Sequence, residues 1–486
     1  MLRELKGLAK ETAIYGLSTV VGKMLNFMLT PLFTHLLLPA ESGVVQTVYS
    51  YIGFLAVLYA LGLDVAYLRL GRRAGKPDPG AFTAAWGAVA ALALAASAAI
   101  HLLAAPIAAG IGAPSAAGVV RLAAWILALD AAALIPFTEL RGAHRAGTYA
   151  TIKVFNIALT LLLSWVFVAR WGWGVRGVFL ANLAASAASL LLTAPTLVSL
   201  LASPSRAALS GMLKFGLPLA AAGLGSMVVQ VADRPIMTRL AGLGPAGIYG
   251  SCYKLGILMM LFVSMFDQAW KPFVLERAER DGVDRLIARV LTYFAVLAGW
   301  AFLAIALFVG PLARAPIFFG HALFGRAYWS GLAIVPVVTL GYLFNGLYYV
   351  MLAPLMIDKR MTSVGVATWI GALINIGVNV ALIPRWGMMA AAWATCVAYA
   401  AMAAAVWWLG RRTRATPYEW RRLTALGAWT GFLWAVSSAF GPVVRTAALI
   451  AYPLGLRFSR FLHAEEANEL GRMLRLPSFL RPGRAV

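Results

Sequence analysis

The stretch Thr12–Arg69, TAIYGLSTVVGKMLNFMLTPLFTHLLLPAESGVVQTVYSYIGFLAVLYALGLDVAYLR, decides the fold. It holds two apolar runs, each about the twenty residues that ~30 Å of hydrocarbon asks of a helix. The segment Pro39-Ala40-Glu41-Ser42-Gly43 between them reads as a tight turn. Lys23 sits near the middle of the first run. A cation at that depth costs ~3 kcal/mol on insertion scales, so it must face the protein interior. Thr19, Lys23, Asn26 and Thr30 fall at steps of four, three and four, on one helical face opposite Val20, Met24 and Met28. A polar face at membrane depth implies a water-filled cavity or a bundle interior.

Composition extends this reading to the whole chain. Of 486 residues, 62% are hydrophobic and 12% charged, and the mean hydropathy is +0.81. A soluble protein carries about twice that charged fraction. The expected class is therefore an all-α polytopic membrane protein, with no cleavable signal peptide. The formal charge of +23 does not point to nucleic acid, because Lys and Arg collect in alternate loops and no basic-aromatic module is present. One set of loops holds Arg69, Arg72, Arg73 and Lys76, then Arg141 and Arg145, then Arg411, Arg412 and Arg414. Such loops are cytoplasmic by the positive-inside rule, which puts both termini on that side. Cys252 and Cys396 lie inside apolar runs and read as reduced, buried thiols.

Twelve further apolar runs follow the first pair, near 82–105, 115–139, 149–169, 175–200, 211–240, 246–270, 287–312, 328–356, 362–383, 388–409, 423–440 and 443–457. That predicts about fourteen transmembrane helices. The chain also repeats itself. Pro31, Thr34, Gly43 and Tyr49 recur as Pro235, Thr238, Gly247 and Tyr253, each 204 positions on. An even number of spans separates the copies, so they are parallel repeats about an axis along the membrane normal. The expected division is a six-helix lobe at 1–202, a second at 203–410, two additional helices at 411–457, and an amphipathic cytoplasmic tail at 458–486. The tail places Phe461, Leu462, Leu470 and Met473 at helical spacing beside Arg472 and Arg475, which suits an anionic lipid surface.

Thr12-Ala13-Ile14-Tyr15-Gly16, Pro31-Leu32-Phe33-Thr34, Glu41-Ser42-Gly43 and Gly62-Leu63-Asp64 through Arg69 resemble polysaccharide-type flippases. These belong to the multidrug/oligosaccharidyl-lipid/polysaccharide exporter (MOP) superfamily. The resemblance implies a bacterial inner-membrane flippase that moves a polyprenyl-pyrophosphate-linked oligosaccharide outward by alternating access. It implies membrane lipids as partners, and a polysaccharide polymerase or glycosyltransferases as candidate protein partners. The rival reading is a cation-coupled multidrug exporter of the same superfamily, which would favour an acid-dominated cavity. A membrane-embedded glycosyl polymerase ranks last, for want of a large outer loop.

Candidate site residues follow from the polar face and its repeat. Asn26 and Thr30 correspond to Gln230 and Arg234, and Lys254 lies in the next run. Lys23, Lys254 and Arg234 are candidate phosphate holders, and Asn26, Thr30, Gln230 and Asn345 candidate sugar contacts. The alternative for each cation is a structural ion pair or a side chain snorkelling to the interface. Asp130 and Asp233 are the candidate coupling acids, with a salt bridge from Asp130 to Lys23 as the competing account. Gly172-Trp173-Gly174-Val175-Arg176-Gly177 fits G-x-G-x-x-G without the preceding strand a nucleotide site requires. No metal, cofactor or enzymatic activity is expected.

Overall fold

The computed structural model describes residues 22, 24, 27–73, 75–318 and 320–458, and they form helices with one small ribbon. Lys23, Asn26 and the tail beyond Phe458 lie outside the described residues. In chain order the helices of the first half are α1 (Phe27–Leu36), α2 (Pro39–Ala60), α3 (Leu63–Leu70), α4 (Pro79–Leu102), α5 (Ala104–Gly110), α6 (Ala117–Gly142), α7 (Ala146–Ser164) and α8 (Gly174–Leu200). The second half holds α9 (Arg206–Val231), α10 (Asp233–Ala241), α11 (Leu243–Tyr253), α12 (Ile257–Leu275), α13 (Val283–Arg314), α14 (Val335–Met351), α15 (Ala353–Ile357) and α16 (Met361–Gly410). The last two are α17 (Trp420–Ser438) and α18 (Pro442–Phe458). Arg72–Arg73 (β1) and Lys76–Pro77 (β2) pair antiparallel between α3 and α4.

Ten of these helical stretches are long and apolar enough to cross a membrane, so the chain is a multi-pass membrane protein. The difference from the expected fourteen has local causes. α16 covers two expected runs in one 50-residue helix. At 1.5 Å per residue that is ~75 Å, more than twice the hydrocarbon thickness. It folds back at Gly387, whose φ of 54° and ψ of −131° suit only glycine. The two arms pack so closely that a Cβ on Gly371 would meet Met402. The remaining three are the short α1 and α18 and the less apolar α17, which carries Arg421 and Arg422.

One expectation is overturned. Pro39–Gly43 is not a turn but the first turn of α2. Pro39 enters at N1, where its missing N–H costs nothing, and Glu41 reaches back to accept the Leu38 N–H at 2.8 Å. The turn is instead the pair Leu37-Leu38.

The helices alternate between two ends. One end has the connections 71–78, 143–145, 201–205, 276–282, 358–360 and 411–419, and most of the basic residues. Here Arg414 ties three connections together, with Asp358 at 3.0 Å and Asp284 at 3.4 Å. Burial alone would raise the Asp358 carboxyl, but bonds from Arg414 and Thr413 hold it below its ordinary value. The stability of this tie is therefore whole near neutrality and is lost as pH falls through that lowered value.

The two halves touch where Gly62 lies against the Gly216 carbonyl, and they meet again at the opposite end. Gly43 on α2 leaves no room for a Cβ against the Leu243 carbonyl, and Gly247 on α11 leaves none against the Pro39 carbonyl. These contacts are reciprocal under the 204-residue offset, and Gly250 meets Gln46, its own counterpart. Around this crossing the Ser42 and Tyr328 hydroxyls bond at 2.7 Å, Tyr328 donates to the Leu37 carbonyl at 2.9 Å, and Thr47 and Thr238 bond at 2.6 Å. The Gly325 N–H donates to Thr34 Oγ1 at 3.2 Å, and His35 Nε2 donates to the Ala322 carbonyl at 2.7 Å. One cluster of buried apolar side chains lies in the second half, from Val229 to Val406, and one in the first, from Leu29 to Phe179, while a third joins Met212 of α9 to Leu63, Tyr67 and Phe82 of the first half.

Between lipid-embedded helices, close backbone approach stands in for the hydrophobic drive available in water. Gly247→Val should therefore cost about 1–3 kcal/mol by overpacking. The expected result is a lower melting midpoint in detergent for Gly43→Val and Gly247→Val, with Gly87→Val, where the space is open, unchanged.

Candidate functional site

The densest polar cluster of the second half lies where α9 gives way to α10. Asp233 opens α10, where a carboxylate suits the N-terminal dipole, and it is fully buried. It accepts Arg234 Nη1 at 2.8 Å, the Arg234 N–H at 2.9 Å and the Tyr249 hydroxyl. The Arg234 guanidinium also donates to the Gln230 carbonyl at 2.7 Å and sits 4.4 Å from the Tyr253 ring centre. Arg234 is thus held on three sides, its charge matched by Asp233.

Lys254 is in a different position. It starts a one-turn 3-10 segment, Lys254–Gly256, that interrupts the run between α11 and α12. Such breaks often mark functional points in a helix. Lys254 is half-buried and within electrostatic reach of Arg234. Among the described residues no acid lies at ion-pair distance from it. Gln230 is exposed and its amide bonds Ser226 Oγ at 3.2 Å, on the same side of α9. The structure thus gathers Gln230, Asp233, Arg234 and Lys254. Thr30 is buried on α1, its hydroxyl without a partner among the described residues, and Asn345 is buried on α14.

Sequence reasoning passed over two amides near this cluster in the chain's second half. Asn375 and Asn379 are fully buried one turn apart on α16, and the Asn379 Nδ2 donates to the Asn375 carbonyl at 2.8 Å. The Asn375 Nδ2 and the Asn379 Oδ1 have no partner among the described residues. Their i, i+4 spacing inside an apolar run was the available signal.

Asp130 sits elsewhere, on α6, lining a cavity of about 390 Å³ within the first half. Arg141, Lys153, Asn156, Asn182 and Ser186 share that cavity. The charge nearest in chemistry to Asp130 is Lys153 on α7, which also lies 4.2 Å from the Phe137 ring centre. Lys153 was not singled out in the sequence, where it stands near the start of its run and reads as an end residue. The neighbouring amides are ordered: Asn182 donates to the Tyr49 hydroxyl at 2.9 Å and Asn156 to Ser189 at 2.8 Å.

A third space is apolar. It measures about 420 Å³ and lies between α13, α14 and α17, lined by Phe302, Leu340, Leu343, Leu347, Leu426 and Trp434. Among the described residues no three His, Cys, Asp or Glu side chains gather as metal ligands.

The fold is similar to that of solved MOP-superfamily transporters. The inward closed conformation of the lipid II flippase MurJ superposes with a TM-score of 0.74 at 13% identity, over 91% of this chain and 98% of that one. An inward-facing multidrug resistance MATE family transporter gives 0.60 at 17% identity, over 84% and 96%. A MOP superfamily transporter from Pyrococcus furiosus gives 0.58 at 15% identity, over 84% and 95%. No curated protein matches significantly in sequence. Residues 8–277 match the model of the polysaccharide biosynthesis protein family, and the chain belongs to that family.

Removing one partner of a buried ion pair costs about 3–5 kcal/mol, whereas removing both costs far less. Asp233→Asn should therefore lower the melting midpoint sharply, and the double substitution Asp233→Asn/Arg234→Gln should recover much of the loss.

Proposed function

We propose that this protein is a flippase for a lipid-linked oligosaccharide, acting in the bacterial cytoplasmic membrane in surface polysaccharide biosynthesis. Its family supports the pathway, and the fold it shares with a lipid II flippase supports a lipid-borne cargo. The observation that carries the reading is Lys254, a half-buried cation at a helix break with no acidic partner among the described residues. An anionic head group, such as a pyrophosphate, answers that charge.

In this reading fourteen helices span the membrane, as two parallel six-helix lobes, 1–202 and 203–410, and two additional helices. The reciprocal glycine contacts support the repeat. The basic end faces the cytoplasm. Alternating access then consists of rocking one lobe against the other, and the contacts among Thr34, Ser42, Gly325 and Tyr328 close the outer end. Lys23 and Lys254 hold the pyrophosphate, and Asn26, Thr30, Gln230 and Asn345 contact sugars. Arg234, fixed by Asp233, adds positive potential beside Lys254. The apolar space beside α17 takes the isoprenoid tail. Asp130, beside Lys153, is the coupling acid of the first lobe, and Asp233 its counterpart in the second.

The test is export of surface polysaccharide in a deletion strain complemented with Lys254→Gln or Lys23→Ala, at matched membrane expression. The expected outcome is loss of export by about tenfold or more, a loss of ~1.4 kcal/mol in head-group binding, with lipid-linked precursor accumulating inside. Normal export in both variants overturns the cationic site. Intact polysaccharide in the deletion strain, with sensitivity to cationic drugs, makes the protein a drug exporter instead.

A further inference from the structure

At the closed end, beside the contacts that close it and away from the residues assigned to the cargo, the two halves line an open, strongly basic pocket of about 530 Å³. His35 comes from the end of α1, Arg314 from the end of α13, and His321, Arg326 and Trp329 from the connection to α14. Among the described residues no carboxylate lines it. Both guanidiniums rest on one indole, with Arg314 5.4 Å and Arg326 5.9 Å from the Trp329 ring centre. The indole is itself anchored, its Nε1–H donating to the Phe324 carbonyl at 2.9 Å. Among the described residues neither arginine pairs with an acid.

Two like charges converging on one ring repel unless an anion sits between them. His35 adds a third nitrogen-bearing ring. Its Nε2 must carry a proton, because it donates to the Ala322 carbonyl at 2.7 Å, so Nδ1 accepts in the neutral ring and donates to an anion only in the imidazolium form. His35 is stacked on Phe318, with centres 5.8 Å apart, and lies 5.9 Å from the His321 ring.

We propose that this pocket is a binding site for a phosphate-class oxyanion, built jointly by α1 and the α13–α14 connection. Guanidinium forks match the oxygens of a phosphate or diphosphate, and the cavity is roomier than a lone halide needs. The two halves share the site, so it is complete only while this end is closed. An occupant therefore stabilises the closed state by mass action and opposes opening. Under the orientation proposed above, the pocket faces the outside, where either a free anion or the head group of a delivered lipid would reach it. The site itself does not depend on what the protein transports.

Calorimetry on the purified full-length protein in detergent tests this, titrating inorganic pyrophosphate and, separately, geranylgeranyl diphosphate. Binding of at least one is expected, and Arg314→Gln/Arg326→Gln should weaken it by about tenfold or more, with Arg326→Gln alone intermediate. Arg176→Gln, a basic residue at the same end, should bind like the wild type. Binding of the lipid diphosphate alone identifies a membrane head group as the source, and binding of the free salt a soluble anion. Should the double variant unfold, the single Arg326→Gln variant carries the comparison. The proposal falls if neither probe binds, if the arginine variants bind unchanged, or if Arg176→Gln loses as much.

Discussion

The arrangement of the halves depends on backbone-to-backbone contact, at the crossing of α2 and α11 and where Gly62 meets Gly216. Gly43 lies on the Leu243 carbonyl and Gly247 on the Pro39 carbonyl, with nothing between. In lipid, apolar side chains gain little by leaving their surroundings, so association rests on dispersion and hydrogen bonds at short range. Two glycines that admit this approach bring Ser42, Thr47, Tyr328 and Thr238 into bonding distance. The end of the molecule where the halves close is set by that crossing.

Charge inside the bundle follows a second rule, that a buried ion needs a partner or a purpose. Asp233 and Arg234 satisfy it with each other and with Tyr249, which makes them a rigid support. Asp130 and Lys153 attract each other across a polar cavity in the other half without reaching ion-pair distance, and Ser186 bonds the Asp130 carboxyl. Lys254 is left with the positive potential of Arg234 beside it. The contrast between Arg234 and Lys254 was partly legible in the sequence, since Arg234 directly follows Asp233 whereas the acid nearest to Lys254 along the chain is Asp267.

Particular errors in the sequence reading have physical causes. Pro39-Ala40-Glu41-Ser42-Gly43 has turn composition, but proline at N1 and glutamate at N3 are also the start of a helix, and tertiary contact with α11 favours the helix. Lys23, the other partner considered for Asp130, lies outside the described residues. The residue that approaches Asp130 is Lys153, whose position near the start of α7 hides how far its long side chain reaches inward. Asn375 and Asn379 went unweighed because amides carry no charge and raise little alarm in a hydropathy reading.

What the sequence by itself determined is the class, the approximate positions of the helices, the alternation of basic and sparse loops and the 204-residue echo. Those are properties of local composition and spacing, which hydrocarbon thickness and helix geometry translate directly into structure. Only the tertiary structure decided which charges meet, that α16 doubles back at Gly387, that Gly43 and Gly247 touch the opposite half, and that Arg314 and Arg326 share one indole with His35 near by. These depend on how helices far apart in sequence rotate and approach. Periodicity gives each helix its faces but does not say which face of which partner it will meet.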